Sequence, residues 1–210
     1  MMIHSFYKED YSSSISKLQL KRSLDLNTKA LFLDRDGILI KDVHRINSPE
    51  QVELCNNVIT FLKAAKRLNY DIVVVSNQSS VSRDIISYKE YLLITSKFLS
   101  YLPKSLYPNL ILASFHLPGN KNNLSNYQWR KPGKGMFDYA INLNSYDTST
   151  SIMIGDKLTD LIPASKCNIN DLIYIPSSIH IGELEKVQEW NNLNSEKIKV
   201  SEYLNPKYLK

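Results

Sequence analysis

The sequence predicts an α/β fold built on a central, mainly parallel sheet, and three observations carry that expectation. Short apolar, β-branched runs alternate with stretches whose apolar residues recur at helical spacing. The runs are apolar throughout rather than every second residue, as strands buried on both faces must be. Each run ends abruptly in polar or charged residues. Strands and helices in alternation imply right-handed crossovers and a parallel sheet, whose ligands gather outside the carboxyl ends of the strands.

The elements follow in chain order. Residues 1–28 are polar, contain "SSSIS" at 12–16, and are expected to be an extension that drapes on the domain or stays mobile. Leu31 to Leu33 is the first strand. Val58, Ile59, Phe61, Leu62, Ala65 and Leu68 recur as one face of a helix. "DIVVV", 71–75, is the second strand. Tyr91, Leu92, Thr95, Phe98, Leu99 and Leu102 share one side of a helix over 88–102, which Pro103 ends. Strands are expected over 109–114, 151–155 and 171–175, and helices over 133–143 and, despite Pro163, 158–166. The tail from Ser177 is polar, with a helical patch over 182–190. The organisation is thus an extension over 1–28, a domain over 29–178, and a tail over 179–210 that packs on the domain.

Composition narrows the class. With 210 residues, 43% of them hydrophobic and 22% charged, the chain can bury a full core. No apolar run is long enough to cross a bilayer, and Glu9 and Asp10 fall where a secretory signal would be apolar. Cys55 and Cys167 are too few for a disulfide framework and are expected to be core residues, so the expected compartment is a bacterial-type cytoplasm. The net charge of +5 comes from scattered basic residues rather than from one bank, which speaks against nucleic acid as a partner.

Chemistry is concentrated where the strands end. After the first come Asp34, Asp36 and Gly37; after the second, Ser76 to Ser79; after the third and a long loop, Trp129 to Gly135; after the fourth, Gly155 to Asp160. In a parallel sheet these segments converge on one crevice. Asp34, Asp36 and Asp156 bring carboxylates that suit a hard divalent cation such as Mg²⁺, and Arg130, Lys131, Lys157 and the Ser76 hydroxyl suit phosphate oxygens. Each segment alone is commonplace. Together, in this order, they point to phosphoryl transfer.

"FLDRDGILI", "VVVSNQSSVSR", "WRKPGKGMF" and "MIGDKLTDL" resemble the four motifs of the haloacid dehalogenase superfamily of phosphatases. Within it they are most similar to D-glycero-D-manno-heptose 1,7-bisphosphate phosphatases and next to histidinol-phosphate phosphatases. The resemblance covers roughly residues 29 to 175 and implies a three-layer α/β/α, Rossmann-like fold. It implies that Asp34 attacks phosphorus and becomes an aspartyl phosphate, while Asp36 acts as general acid and base. Mg²⁺ would be held by Asp34, the Asp36 carbonyl and Asp156. Ser76 would grip the phosphoryl group and Lys131 would stabilise its charge. Asn77, Gln78, Ser79, Arg130 and Lys157 would bind substrate, and Asp160 would orient Lys131 or a metal-bound water. Arg35, alternating with the two aspartates, is expected to point away.

The resemblance breaks in one place. Relatives carry a zinc loop of the form C-x-H…C-x-C before R-K-P; here Ser114, His116, Tyr127 and Trp129 stand at those positions, so no structural zinc is expected. About twenty residues separate Gly37 from the helix near Val58, too few for a folded cap domain, so the site is expected to be open or covered by the 115–129 loop and the N-terminal arm. The expected function is hydrolysis of a heptose bisphosphate to heptose 1-phosphate in surface polysaccharide precursor synthesis, by a monomer or weak dimer. Histidinol phosphate, another small phosphomonoester, a polynucleotide 3′-phosphate or a non-catalytic binding role remain as alternatives.

Overall fold

A computed structural model describes residues 2–6, 28–117, 128–195 and 197–210, the first of these as backbone alone. Among the described residues seven strands form one sheet: β1 (Met2–Phe6), β2 (Ala30–Leu33), β3 (Asp71–Asn77), β4 (Leu110–Ser114), β5 (Ile152–Gly155), β6 (Asp171–Tyr174) and β7 (Ile198–Val200). Their order is β1-β4-β3-β2-β5-β6-β7, and every pairing is parallel. From β2 the chain winds outward through β3 and β4, then returns to β5 on the other side of β2. That reversal opens a crevice at the carboxyl ends of β2 and β5.

The helices are α1 (Val58–Arg67), α2 (Tyr88–Ser100), α3 (Gly135–Asn144), α4 (Leu158–Lys166) and α5 (Glu183–Leu193). Helix α1 buries Val58, Phe61, Leu62 and Ala65, one stripe at helical spacing. Helix α2 starts at a capping box: Ser87 Oγ accepts from the Glu90 N–H, and the Glu90 carboxylate accepts from the Ser87 N–H at 2.6 Å. Helix α4 runs through Pro163, which is buried. Burial there offsets the lost backbone donor.

Strand alternation splits the interior in two. Leu31, Leu33, Ile72, Val74 and Ile154 face α1 and α2 in one core. Ala30, Phe32, Val73, Val75 and Met153 face α3, α4 and α5 in the other. The result is the expected three-layer α/β/α arrangement. No separate cap domain is inserted among the described residues; the segment after β2 instead folds down, burying Ile38, Leu39, Ile40, Ile46 and Val52.

Two strands lie where none is expected. Residues 2–6, read from sequence as part of an irregular extension, pair with β4, and Ile198–Val200 pairs with β6. Residues 7–27, and residues 118–127 of the loop expected to overlie the site, including Tyr127, lie outside the described residues.

Candidate active site

Asp34 is the first residue past β2, and its backbone N–H still donates to the Ile154 carbonyl of β5 at 3.1 Å. The chain then leaves extended geometry: the Leu39 and Ile40 N–H groups both donate to the Arg35 carbonyl. This tight turn places Asp34 and Asp36 at one mouth. Gly37 takes φ +87°, and a Cβ there would lie 2.2 Å from Asp156 Oδ2, so only glycine fits between the two aspartate-bearing segments.

Lys131 arrives from the segment after β4 and is enclosed by oxygen. Its Nζ is 2.9 Å from Asp34 Oδ1, 2.8 Å from Asp160 Oδ1 and donates to the Val75 carbonyl at 2.8 Å. Asn77 fixes the lysine's main chain: its side-chain amide accepts from Lys131 N–H and donates to the Lys131 carbonyl, both at 3.0 Å. Burial would lower the Lys131 pKa, but Asp160 and Asp34 outweigh it and hold the ammonium charged.

Around Asp36 a second network forms. Arg35 does not point away: its buried guanidinium pairs with both Asp36 oxygens, at 3.0 and 3.1 Å, and donates to Gln78 Oε1 at 2.8 Å. The alternation expected from sequence fails because the backbone is turning there. Gln78 Nε2 in turn donates to Asp36 Oδ2 and to Ser76 Oγ, both at 2.7 Å. Ser76 is buried at the end of β3 beside these groups.

Asp156, just past β5, is fully buried, and neither of its carboxylate oxygens has a hydrogen-bond partner. Burial pushes its pKa up to about 8, with repulsion from Asp34 and Asp160 adding to the effect. Asp34 is pushed up to about 6 by burial, against the pull of Lys131. Ligand oxygens of Asp34, Asp156 and Asp160 lie within 4.8 Å of one another. Orphaned oxygens in a buried acidic crevice, with a glycine keeping it open, fit a hard divalent cation.

The remaining candidates are more dispersed. Lys157 Nζ is 3.7 Å from Asp156 Oδ1, and its pKa is raised because Asp156 and Asp34 outweigh burial. Arg130 is half-buried and donates to the His116 carbonyl at 3.0 Å; burial, then the charge of Arg83, lowers its pKa. Ser79 lies on the turn after Gln78, its carbonyl accepting from Arg83 N–H. Trp129 packs beside Tyr139 on the core under α3. Cys55 and Cys167 pack against opposite faces of the sheet, so they cannot share a metal ion. Sequence reasoning missed Arg35, Asp42 and His180. The last two meet Asp156 from the segment after β2 and from the loop before α5, with no motif to announce them.

Comparisons with known proteins agree with this geometry. The profile of the family described as polynucleotide kinase 3 phosphatase matches residues 29–168. A D-glycero-alpha-D-manno-heptose-1,7-bisphosphate 7-phosphatase of Photorhabdus laumondii is 32% identical over 146 residues, 67% of this chain and 79% of that protein. A D-glycero-beta-D-manno-heptose-1,7-bisphosphate 7-phosphatase of Helicobacter pylori is 31% identical over 160 residues, 73% of this chain and 88% of that one. In fold, the chain matches the D,D-heptose 1,7-bisphosphate phosphatase of B. bronchiseptica, solved with magnesium and phosphate. The TM-score is 0.69 at 20% identity, covering 86% of this chain and 96% of that one. With its four strand-end segments converged on one acidic crevice, the chain belongs to the polynucleotide kinase 3 phosphatase family and is a phosphatase of the haloacid dehalogenase type.

Proposed function

We propose that the protein is a Mg²⁺-dependent phosphatase that removes the 7-phosphate of D-glycero-D-manno-heptose 1,7-bisphosphate, leaving heptose 1-phosphate for surface polysaccharide precursors. The observation that carries the chemistry is the state of Asp34. Its Oδ1 is held by Lys131 Nζ and the Arg35 N–H, at 2.9 and 2.8 Å, which leaves Oδ2 to attack. The substrate assignment rests on the two relatives at about 30% identity.

Asp34 Oδ2 forms a bond to phosphorus as the bond to the leaving sugar oxygen breaks. Asp36, steered by Arg35 and Gln78, gives that oxygen a proton. A water then attacks the aspartyl phosphate, Asp36 takes its proton, and inorganic phosphate departs. Lys131 neutralises negative charge on the transferring group from a fixed position. Ser76 Oγ accepts from Gln78, so its O–H serves as donor to a phosphoryl oxygen. Asp34, the Asp36 carbonyl and Asp156 are the groups that would hold Mg²⁺, with Asp160 kept on Lys131. When bound, the ion supplies positive charge that offsets the crowded carboxylates and the incoming phosphate. Asn77 and Gln78 serve the reaction by fixing Lys131 and Asp36, while Ser79, Arg130 and Lys157 are left to meet the rest of the substrate.

The test is phosphate release from a panel with and without Mg²⁺, with Asp34→Asn as control. The panel holds both heptose bisphosphate anomers, histidinol phosphate, other sugar phosphates and a 3′-phosphorylated oligonucleotide. We expect metal-dependent, Asp34-dependent release with a preference for one heptose anomer. Release mainly from another compound would overturn the substrate; release by Asp34→Asn at the wild-type rate would overturn the mechanism.

A further inference from the structure

Asp42 and His180 take no part in the chemistry above, yet they close on one of its carboxylates. His180 belongs to the loop between β6 and α5, Asp42 to the folded-down segment after β2, 138 positions apart. His180 Nε2 lies 2.9 Å from Asp42 Oδ2 and 3.5 Å from Asp156 Oδ2. Asp42 and His180 side chains are only 10% and 18% exposed, so the contact is shielded from water. A ring nitrogen 2.9 Å from the Asp42 carboxylate must carry the hydrogen, since a lone pair there would face lone pairs, and that hydrogen goes to Asp42. Nε2–H is therefore a donor in either charge state of the ring. Lys157 Nζ stands beside the same group, 3.9 Å from Asp42 Oδ2 and 3.7 Å from Asp156 Oδ1, so the chain itself supplies cationic charge there.

Asp156 needs such a neighbour. Both its oxygens are buried without a hydrogen bond, and the Gly37 backbone approaches Oδ2 so closely that no side chain could stand between. Its carboxylate plane is therefore set by whatever polar group lies alongside, and on the Oδ2 side that group is the imidazole.

We propose that His180, anchored by Asp42, is a positioning residue for Asp156: its ring edge, 3.5 Å from Oδ2, fixes the direction of that carboxylate and thereby sets the affinity of the site for its divalent cation. The proposal rests on Asp156 being a metal ligand, as read under Proposed function. Groups that orient metal ligands in this way are commonly worth about 10–100-fold in metal affinity. The same contact ties the loop before α5 to the segment after β2, so the C-terminal part of the chain takes part in building the metal site.

The test is direct binding of Mn²⁺, followed by the paramagnetic resonance signal of the free ion, to the wild type, His180→Ala, His180→Gln and Asp156→Asn, each with its melting curve. We expect His180→Ala to weaken Mn²⁺ about tenfold and to need correspondingly more Mg²⁺ for phosphate release. His180→Gln, which keeps an N–H at similar reach, should recover most of the affinity and keeps the test decidable if the alanine variant melts early. Unchanged affinity in His180→Ala, or equal deficits in both His180 variants, would overturn the assignment. Two Mn²⁺ per wild-type chain and one in His180→Ala would overturn it too, making the triad itself a metal site. Undiminished binding by Asp156→Asn would instead sink the underlying reading of Asp156.

Discussion

Lys131 is a buried charge enclosed by oxygen in the candidate site, with Asp34, Asp160 and the Val75 carbonyl all within 2.9 Å of Nζ. Removing one member of a buried ion cluster leaves the others uncompensated, at about 3–5 kcal/mol. Lys131→Met should therefore lower stability by that order in a urea titration, besides abolishing turnover. Asp156 and Asp34 give a second expectation at this scale. Burial pushes their pKa values up to about 8 and about 6, above the ordinary aspartate value of 3.8. Folding then binds their protons more tightly, so their stabilising contribution is full below about pH 4 and lost as pH rises through about 6 and 8. A protein stripped of metal should melt progressively lower from pH 5 to pH 9, and Mg²⁺ should restore most at the alkaline end; a flat profile would contradict this. That Asp34, Asp36, Ser76, Lys131 and Asp156 meet in one place was legible in the sequence because each stands just past an apolar run or in a dense motif. Arg35 was misjudged because strand alternation was carried past the point where the strand stops. His180 and Asp42 were invisible, since a lone histidine in a polar tail says nothing of which carboxylate it will meet.

At the scale of elements, the turn after β2 is the critical joint. Gly37 combines φ +87° with a would-be Cβ 2.2 Å from Asp156 Oδ2. Gly37→Ala meets backbone strain of about 1–3 kcal/mol and must also push Asp156 aside. We expect a lower melting temperature together with a loss of Mn²⁺ affinity, the two measured on the same preparation; loss of stability alone would mean that Asp156 had not moved. The helices were legible because apolar spacing reports a buried stripe directly: the Val58–Ala65 face of α1 needs no partner to be seen. Strands β1 and β7 were not. An edge strand of three to five residues pairs on one side only, and in β7 only Ile198 is buried, so the sequence shows no sustained apolar run.

For the whole molecule, the order β1-β4-β3-β2-β5-β6-β7 places the strands that carry the candidate site in the middle and the unforeseen ones at both edges. Trimming an edge should therefore separate stability from chemistry. Deleting residues 1–27 uncovers the outer side of β4 while leaving β2, β3 and β5 paired as before. We expect a melting temperature several degrees lower, with kcat within about threefold of the full chain; a collapse of kcat in a folded protein would show that the arm reaches the site. The sheet that does the pairing is also a wall. Phe32 looks into one interior, while Leu31 and Leu33 on the same strand look into the other. Side chains such as Phe61 and Phe137 thus share no neighbours across it, and changes on the two sides should combine additively. Such a molecule has two interiors that selection can tune separately, one at a time. The rim where Asp34 leaves β2 is the place where those two interiors border the crevice.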